Sequence, residues 1–500
     1  MICVCLGIIV GLAGHGSADD YDGPVITQAP TDKHRLIILA DMGNEPDELQ
    51  QMVHLHMYAN EVDIEGLIAV TSFWLRNNPR PDLFTSLINE YAKVVDNLEK
   101  HAPGWPSASY LHSITKAGQQ GYGIADVGEG KTSPGSRLIT EVVTRDDPRP
   151  VNIIVNGGSN TLAQALWDYR DTHTQEEVDD FVAKMLVHEN GSQDNAGAWI
   201  VNNFPNIHWV RNNSQTYAYM GGAFRANGPY CWEPYSYSGW GQHRWANEHI
   251  RKNHGPLGEF YPLRFLGTFT LEGGGTTPWI GLVNQGLYDP AKPHWGGWGG
   301  RFTENKVSGL WSRYPDIRDD EQKMFSDVIA YDAASDRWTD PVYNKVWDDV
   351  NTPVYRWRRA MLTEFKARMD WCVKTYSEAN HNPIAAFNGD QTKSIVYLSK
   401  SPGDVVKLDA SASSDPDGND LVFKWYVYGE VTTYNGELNI INSNSDVATL
   451  TIPRDASGSQ LHIILEVKDV TENATDMVSY RRIVINVSSA LKDCLQEEEK

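Results

Sequence analysis

Arg35-Leu36-Ile37-Ile38-Leu39-Ala40-Asp41-Met42-Gly43-Asn44-Glu45-Pro46-Asp47-Glu48 decides the fold. Residues 35 to 40 read as a strand buried on both faces, an apolar run without polar alternation. Gly43 and Asn44 turn the chain, and Pro46 suits the first position of a helix. Leu49, Met52, Val53 and Met57 then recur at helical spacing. Asp41, Glu45, Asp47 and Glu48 are thereby gathered at the carboxyl end of a strand and the amino end of a helix, the edge where open α/β sheets bind ligands. Acidic residues in a first helical turn also complement the helix dipole. Asp41 precedes the helix, so that explanation does not reach it.

The pattern repeats downstream. Val62 to Thr71 and Val151 to Val155 read as strands, each running into a polar loop, Ser72-Phe73-Trp74 and Asn156-Gly157-Gly158-Ser159-Asn160. Helices are expected near Pro81 to Glu99 and from Thr161, and further strands over Phe181 to Val187 and Ile207 to Val210. This alternation predicts a mostly parallel sheet with flanking helices. Residues 220 to 311 are rich in Gly, Trp, Tyr and Pro. Their sharpest feature is Trp295-Gly-Gly-Trp298-Gly-Gly-Arg301, which either flanks a ligand with indoles, Arg301 anchoring a hydroxyl or carboxylate, or turns tightly against the core. Thirteen of the 17 tryptophans fall between Trp199 and Trp371. A helix is expected between Pro341 and Thr375. His54 and His56, two apart on a helix, are expected to be structural or surface residues.

After a linker at Ser377 to Pro383 the texture becomes short alternating strands, which predicts an immunoglobulin-type β-sandwich over 383–488. Its Asp415-Pro-Asp-Gly418 turn suits either calcium or internal hydrogen bonding. The chain thus divides into a leader at 1–18, an α/β domain at 33–378, the sandwich and an acidic tail at 489–500. The apolar run Ile2 to Ala13 with small residues at Ser17-Ala18 predicts secretion, to an extracellular or periplasmic location. No later stretch is long and apolar enough to cross a bilayer. Cys231, Cys372 and Cys494 remain beyond the leader, which excludes a disulfide scaffold and a cysteine-rich zinc site. Asn190, Asn212, Asn473 and Asn486 begin glycosylation sequons. A net charge of −22 argues against nucleic acid and anionic membranes as partners and favours neutral sugars or divalent cations.

Asp41 to Glu48 and Val155 to Leu162 resemble the metal and ribose loops of the inosine-uridine nucleoside hydrolases. With Asp63-Ile-Glu-Gly-Leu-Ile-Ala-Val-Thr-Ser72, the Trp295–Arg301 segment and the DPDG module, the chain from about 33 to 488 is similar to the cellulose-binding proteins of bacteria and fungi that join a nucleoside-hydrolase-like domain to an Ig-like domain. The resemblance implies one Ca2+ held by Asp41, Asp47, Glu48, the Asn156 carbonyl and Glu272, with Asp41 also the catalytic base. It implies a substrate held by Glu45, Ser72, Asn160, Asp194 and Asn195, joined by Trp295, Trp298 and Arg301. Leu39 replaces the first aspartate of the nucleoside hydrolase motif, the acidic turn is lengthened, and no late His-Asp dipeptide exists. These departures point away from nucleosides and toward larger sugars. The expected function is metal-dependent hydrolysis of a glycosidic bond in a carbohydrate. The alternatives are a non-catalytic carbohydrate-binding protein and a nucleoside hydrolase.

Overall fold

The strand predicted at residue 35 is the centre of a large sheet. In the computed structural model, which describes residues 33–219, 228–262, 274–284, 286–307, 328–472 and 475–489, it runs as β1 (His34–Ala40). The leader, Glu272, Asn473, Cys494 and residues 490–500 lie outside the described residues. Around β1 lie β2 (Val62–Ala69), β3 (Thr115–Ala117), β4 (Val151–Val155), β5 (Met185–Asn190), β6 (His208–Asn212), β7 (Phe302–Val307) and β8 (Val328–Ala333). Their order is β3-β2-β1-β4-β5-β6-β8-β7, parallel except for the outer β8/β7 pair. The chain winds outward in both directions from β1, so the switch point lies between β1 and β4. Leu36 to Ala40 have no solvent exposure, as a strand covered on both faces requires. Arg35 is buried beside them because Glu65 accepts from its Nε and Nη2 at 2.8 and 2.9 Å and the Val142 carbonyl accepts a further bond.

Helix α1 (Pro46–His56) follows, with Pro46 in its first turn. It is buried nearly all round, and His54 and His56 are core residues. The His54 ring stacks on Phe365 at 3.7 Å, and His56 Nδ1 meets the Met52 carbonyl at 2.7 Å. Three sequence expectations need revision. The helix expected over 81–99 is two, Pro81–Tyr91 and Val95–His101. Phe181 belongs to the helix Gln175–Ala183, so the strand starts at Met185. Before the helices Thr352–Tyr355 and Arg358–Asp370 the chain forms a hairpin of β9 (Asp336–Asp340) and β10 (Lys345–Asp349), turned by Asn344 at φ 52°.

The C-terminal strands β11 (Val396–Lys400), β12 (Val405–Asp409), β13 (Leu421–Val427), β14 (Ile440–Ile441), β15 (Val447–Thr451), β16 (Gln460–Asp469) and β17 (Val478–Val487) form two sheets, β11-β17-β16-β13 and β12-β15-β14. They close on a core that includes Leu398, Leu408, Trp425, Leu450, Ile463 and Ile483. The DPDG segment is a hydrogen-bonded turn: Asp415 Oδ1 accepts from the backbone N–H of Asp417 and of Asn419, each at 2.9 Å, and Gly418 takes φ 79°.

The Trp295–Arg301 segment clasps this sandwich to the sheet domain. Trp295 packs edge-on to His462 at 4.8 Å, and Trp298 meets Tyr480 at 6.2 Å. Arg482, fully buried, donates to the carbonyls of Leu287, Trp295 and Gly296 at 2.7, 2.9 and 2.9 Å. Gly296 combines φ 71° with a position where a Cβ would sit 2.6 Å from the Tyr428 hydroxyl, so only glycine fits. Arg301 and Arg356 pair with the buried Asp336 at 2.7 and 2.9 Å, and Tyr428 donates to the same carboxylate. On another side, His381 joins His101 at 2.9 Å to Asp417 at 2.8 Å.

Arg482→Ala leaves three buried carbonyls without their donor. It should lower the unfolding free energy by about 3 kcal/mol, measured by urea denaturation followed by tryptophan fluorescence and circular dichroism. A loss below about 1 kcal/mol would show that the clasp does not depend on this side chain.

Candidate functional site

The acidic turn opens into a narrow cleft at the carboxyl edge of the sheet. Its wall is built by successive strand ends: Asp41, Asn44, Glu45, Asp47 and Glu48 after β1, Trp74 after β2, Asn190, Gly191 and Gln193 from the end of β5, and Thr216 and Tyr217 after β6. Gly274 completes the lining. Four predicted residues, Asp41, Glu45, Asp47 and Glu48, therefore share one cavity. The sequence reading passed over Trp74, Asn190, Gln193, Thr216 and Tyr217 as site residues. Trp74 was discoverable, because it ends the polar loop after the second strand and stands as far beyond Ala69 as Glu45 does beyond Ala40.

Asp41 is 1% exposed. Its carboxyl group is pushed up to about 7, chiefly by burial, against a hydrogen bond from the Ser72 side chain; the charges of Asp47 and Glu45 push it further up. Glu48 is raised well above the usual carboxylate range by burial and by Asp41, Asp47 and Glu45, although Gln51 donates to it. Two buried carboxyl groups that repel one another do not both ionise easily. The cleft therefore retains protons near neutrality.

The remaining predicted residues lie behind the cleft or far from it. Ser72 is fully buried; its Oγ bonds Asp41 and accepts from the backbone of Trp74 and Leu75 at 3.1 and 3.0 Å, so it positions the turn and does not line the cavity. Asp194, also buried, accepts from the N–H groups of Asn160 and Ala196 at 3.1 and 2.9 Å, and burial pushes it up to about 6. A Cβ at Gly158 would come within 2.5 Å of Asp194, so this loop closes tightly on that carboxyl group. Asn160 Nδ2 donates to the Gly121 carbonyl at 2.8 Å, and Asn195 Oδ1 accepts from Ile124 at 2.9 Å. These residues fasten loops to one another. Trp295, Trp298 and Arg301 are 3%, 1% and 7% exposed inside the interdomain clasp. They do not line the cleft, which corrects their expected role as a sugar platform. Two sequons are likewise closed to glycans: Asn212 is buried and bonds the Thr216 N–H at 2.8 Å, and Asn190 accepts from the Thr216 hydroxyl. Asn486 is exposed. Cys231 and Cys372 are buried free thiols.

The carboxylates of Asp41, Asp47 and Glu48 suit a hard, oxygen-seeking cation such as Ca2+. The rest of the implied shell is otherwise engaged. The Asn156 carbonyl accepts from Gln193, and the Asn156 side-chain amide donates to Gln51 Oε1 at 2.7 Å and to the Gly275 carbonyl at 3.2 Å. Among the described residues no group of three or more His, Cys, Asp and Glu side chains is arranged to hold a metal. Among the described residues, the buried Oδ1 atoms of Asn156 and Asn160 have no hydrogen-bond partner.

Because folding raises the Asp41 value from 3.8 to about 7, the folded state binds this proton more tightly than the unfolded chain does. Its contribution to stability is fully present below about pH 4 and is lost as pH rises through about 7. Asp41→Asn removes the titration. In chelator-treated protein at about pH 8 the variant should be more stable than wild type by on the order of 3 kcal/mol, the two converging near about pH 4. Urea denaturation at both pH values measures this, and a variant less stable than wild type at the higher pH would contradict it.

Residues 35–302 match the family model described as the nucleoside hydrolase-like domain of cellulose-binding Sde182, and residues 405–487 match that of the C-terminal domain of cellulose-binding protein Sde0182. Among solved structures, the chain is similar to a nucleoside hydrolase-related hypothetical protein from Saccharophagus degradans, described as associated with carbohydrate metabolism. The two share 37% identity over 91% of this chain and 100% of that one, with a TM-score of 0.77. The PKD domain of the KIAA 1837 protein matches 19% of this chain over 82% of its own length at 24% identity, with a TM-score of 0.15. No curated protein matches. With residues 35–302 and 405–487 matched in order and a 37% identical structure covered along its whole length, the chain belongs to the cellulose-binding Sde182 family with its nucleoside hydrolase-like domain.

Proposed function

We propose that this protein is a secreted glycosidic-bond hydrolase acting on a cell-wall saccharide at the acidic cleft. The observation that carries the reading is the lining itself: Asp41, Glu45, Asp47 and Glu48 line one cavity together with Asn44, Asn190, Gln193 and Trp74. Carboxylates and amides bond sugar hydroxyls, and an aromatic face covers the apolar side of a pyranose. Glycoside hydrolysis uses two carboxyl groups, one giving a proton to the leaving oxygen and one taking a proton from water. Asp41 and Glu48, both raised by burial and by the neighbouring carboxylates, are the two buried carboxyl groups of the wall that would share these roles. Ser72 holds Asp41 in place, and the remaining negative charge steadies an oxocarbenium-like transition state.

A second reading, a carbohydrate-binding protein without turnover, is favoured by the cellulose-binding description of the family and by the loop-fastening roles of Asp194, Asn160 and Asn156. One experiment separates the two. Wild type and Asp41→Asn are incubated with cello-, xylo- and mixed-linkage oligosaccharides and with inosine and uridine, with calcium or with chelator, and the products are resolved chromatographically. The expected result is oligosaccharide cleavage that Asp41→Asn reduces by roughly 10²-fold or more. Saccharide binding without any product supports the binding protein, and cleavage confined to nucleosides overturns both.

A further inference from the structure

Two aromatic rings face the cleft from opposite sides of the acidic turn. Trp74 follows β2, which flanks β1 on one side, and Tyr217 lies in the short turn Gln215–Ala218 beyond β6, on the other. They are 54% and 40% exposed, whereas the Trp295 and Trp298 indoles are buried. The strands that carry them are separated by β1, β4 and β5, a span of roughly 19 Å at the backbone.

Trp74 is held in place despite its exposure. The Ser72 N–H donates to the Leu75 carbonyl at 2.9 Å while Ser72 Oγ accepts from the N–H groups of Trp74 and Leu75. Phe73 lies edge-on to the indole at 5.0 Å. The Arg76 guanidinium sits 4.7 Å over Phe73 and 4.5 Å over Tyr122, and its Nε donates to the Phe73 carbonyl. The residue that positions Asp41 therefore also fixes this rim, so ring and carboxyl group keep a set relation.

We propose that the cleft binds a disaccharide unit, with Trp74 stacking against one pyranose and Tyr217 against its neighbour, so that the linkage between them lies over Asp41, Asp47 and Glu48. This rests on the reading of the cleft as a glycan site. The lining favours a sugar pair over a nucleoside. Between the rings stand carboxylates and amides, Glu45, Asp47, Asn44, Asn190 and Gln193, which match hydroxyls disposed along both sugars. A nucleoside presents its hydroxyls on one ring alone and would leave part of that polar wall unmatched.

The test is calorimetric or NMR titration of the full chain, in calcium and in chelator, with glucose, cellobiose, cellotriose, xylobiose and inosine as probes. Wild type, Trp74→Ala, Trp74→Phe and Tyr217→Ala are compared after circular dichroism has shown that each is folded. A disaccharide should bind wild type at least about tenfold more tightly than the monosaccharide, and each alanine substitution should weaken it by about tenfold. Trp74→Phe should keep most of the affinity. Equal affinity for glucose and cellobiose, or saccharide binding that neither alanine substitution changes, overturns the two-ring site and leaves the glycan reading standing. No saccharide binding by wild type overturns both.

Discussion

The structure depends on where the end of β1 puts a carboxyl group. A strand covered on both faces delivers Asp41 to an edge that is nearly closed to water, and the lengthened turn then adds Glu45, Asp47 and Glu48 to the same wall. Isolated carboxylates in such a place are costly, and Asp41 and Glu48 respond by holding their protons. The protein tolerates this through its supports: Ser72 for Asp41, Gln51 for Glu48, and behind Gln51 the side-chain amide of Asn156, a residue whose backbone carbonyl is in turn held by Gln193. Each support comes from a different strand end or helix, so the geometry of the cleft is a property of the whole sheet edge.

The second constraint is the clasp between domains. Arg482 reaches out of β17 to carbonyls at Leu287, Trp295 and Gly296, and Asp336 gathers Arg301, Arg356 and Tyr428. Charge is buried here too, but each group meets its partners, which is how buried ions persist. The sandwich thus packs its β16–β17 side against the sheet domain; Ile464, Met477 and Tyr480 belong to the sheet domain's core cluster.

Much of this was legible in the sequence, and the misreadings share a cause. The apolar run at 35–40, the polar loop at 156–160 and the alternating strands after 396 announce themselves through periodicity, a local property. Asp41, Glu45, Asp47 and Glu48 are near neighbours along the chain, so their convergence needed only one turn. Trp295-Gly-Gly-Trp298-Gly-Gly-Arg301 was ambiguous because a glycine–indole segment packs equally well against a ligand or a second domain, and its partners, His462, Tyr480 and Arg482, lie far along the chain. Asp194 and Asn160 resemble ligand-binding residues by type and position, yet Asp194 accepts from backbone N–H groups and the Asn160 amide donates to the Gly121 carbonyl. No local pattern distinguishes an amide aimed at a ligand from one aimed at a loop.

The direct measurement of the central claim is a crystal structure of the complex with a non-hydrolysed cello-oligosaccharide. Sugar density between the carboxylates of Asp41, Asp47 and Glu48 and the ring of Trp74 is the result this account predicts. Density confined to the outer faces of the sandwich, with the acidic cleft filled by solvent at saturating ligand, would contradict it.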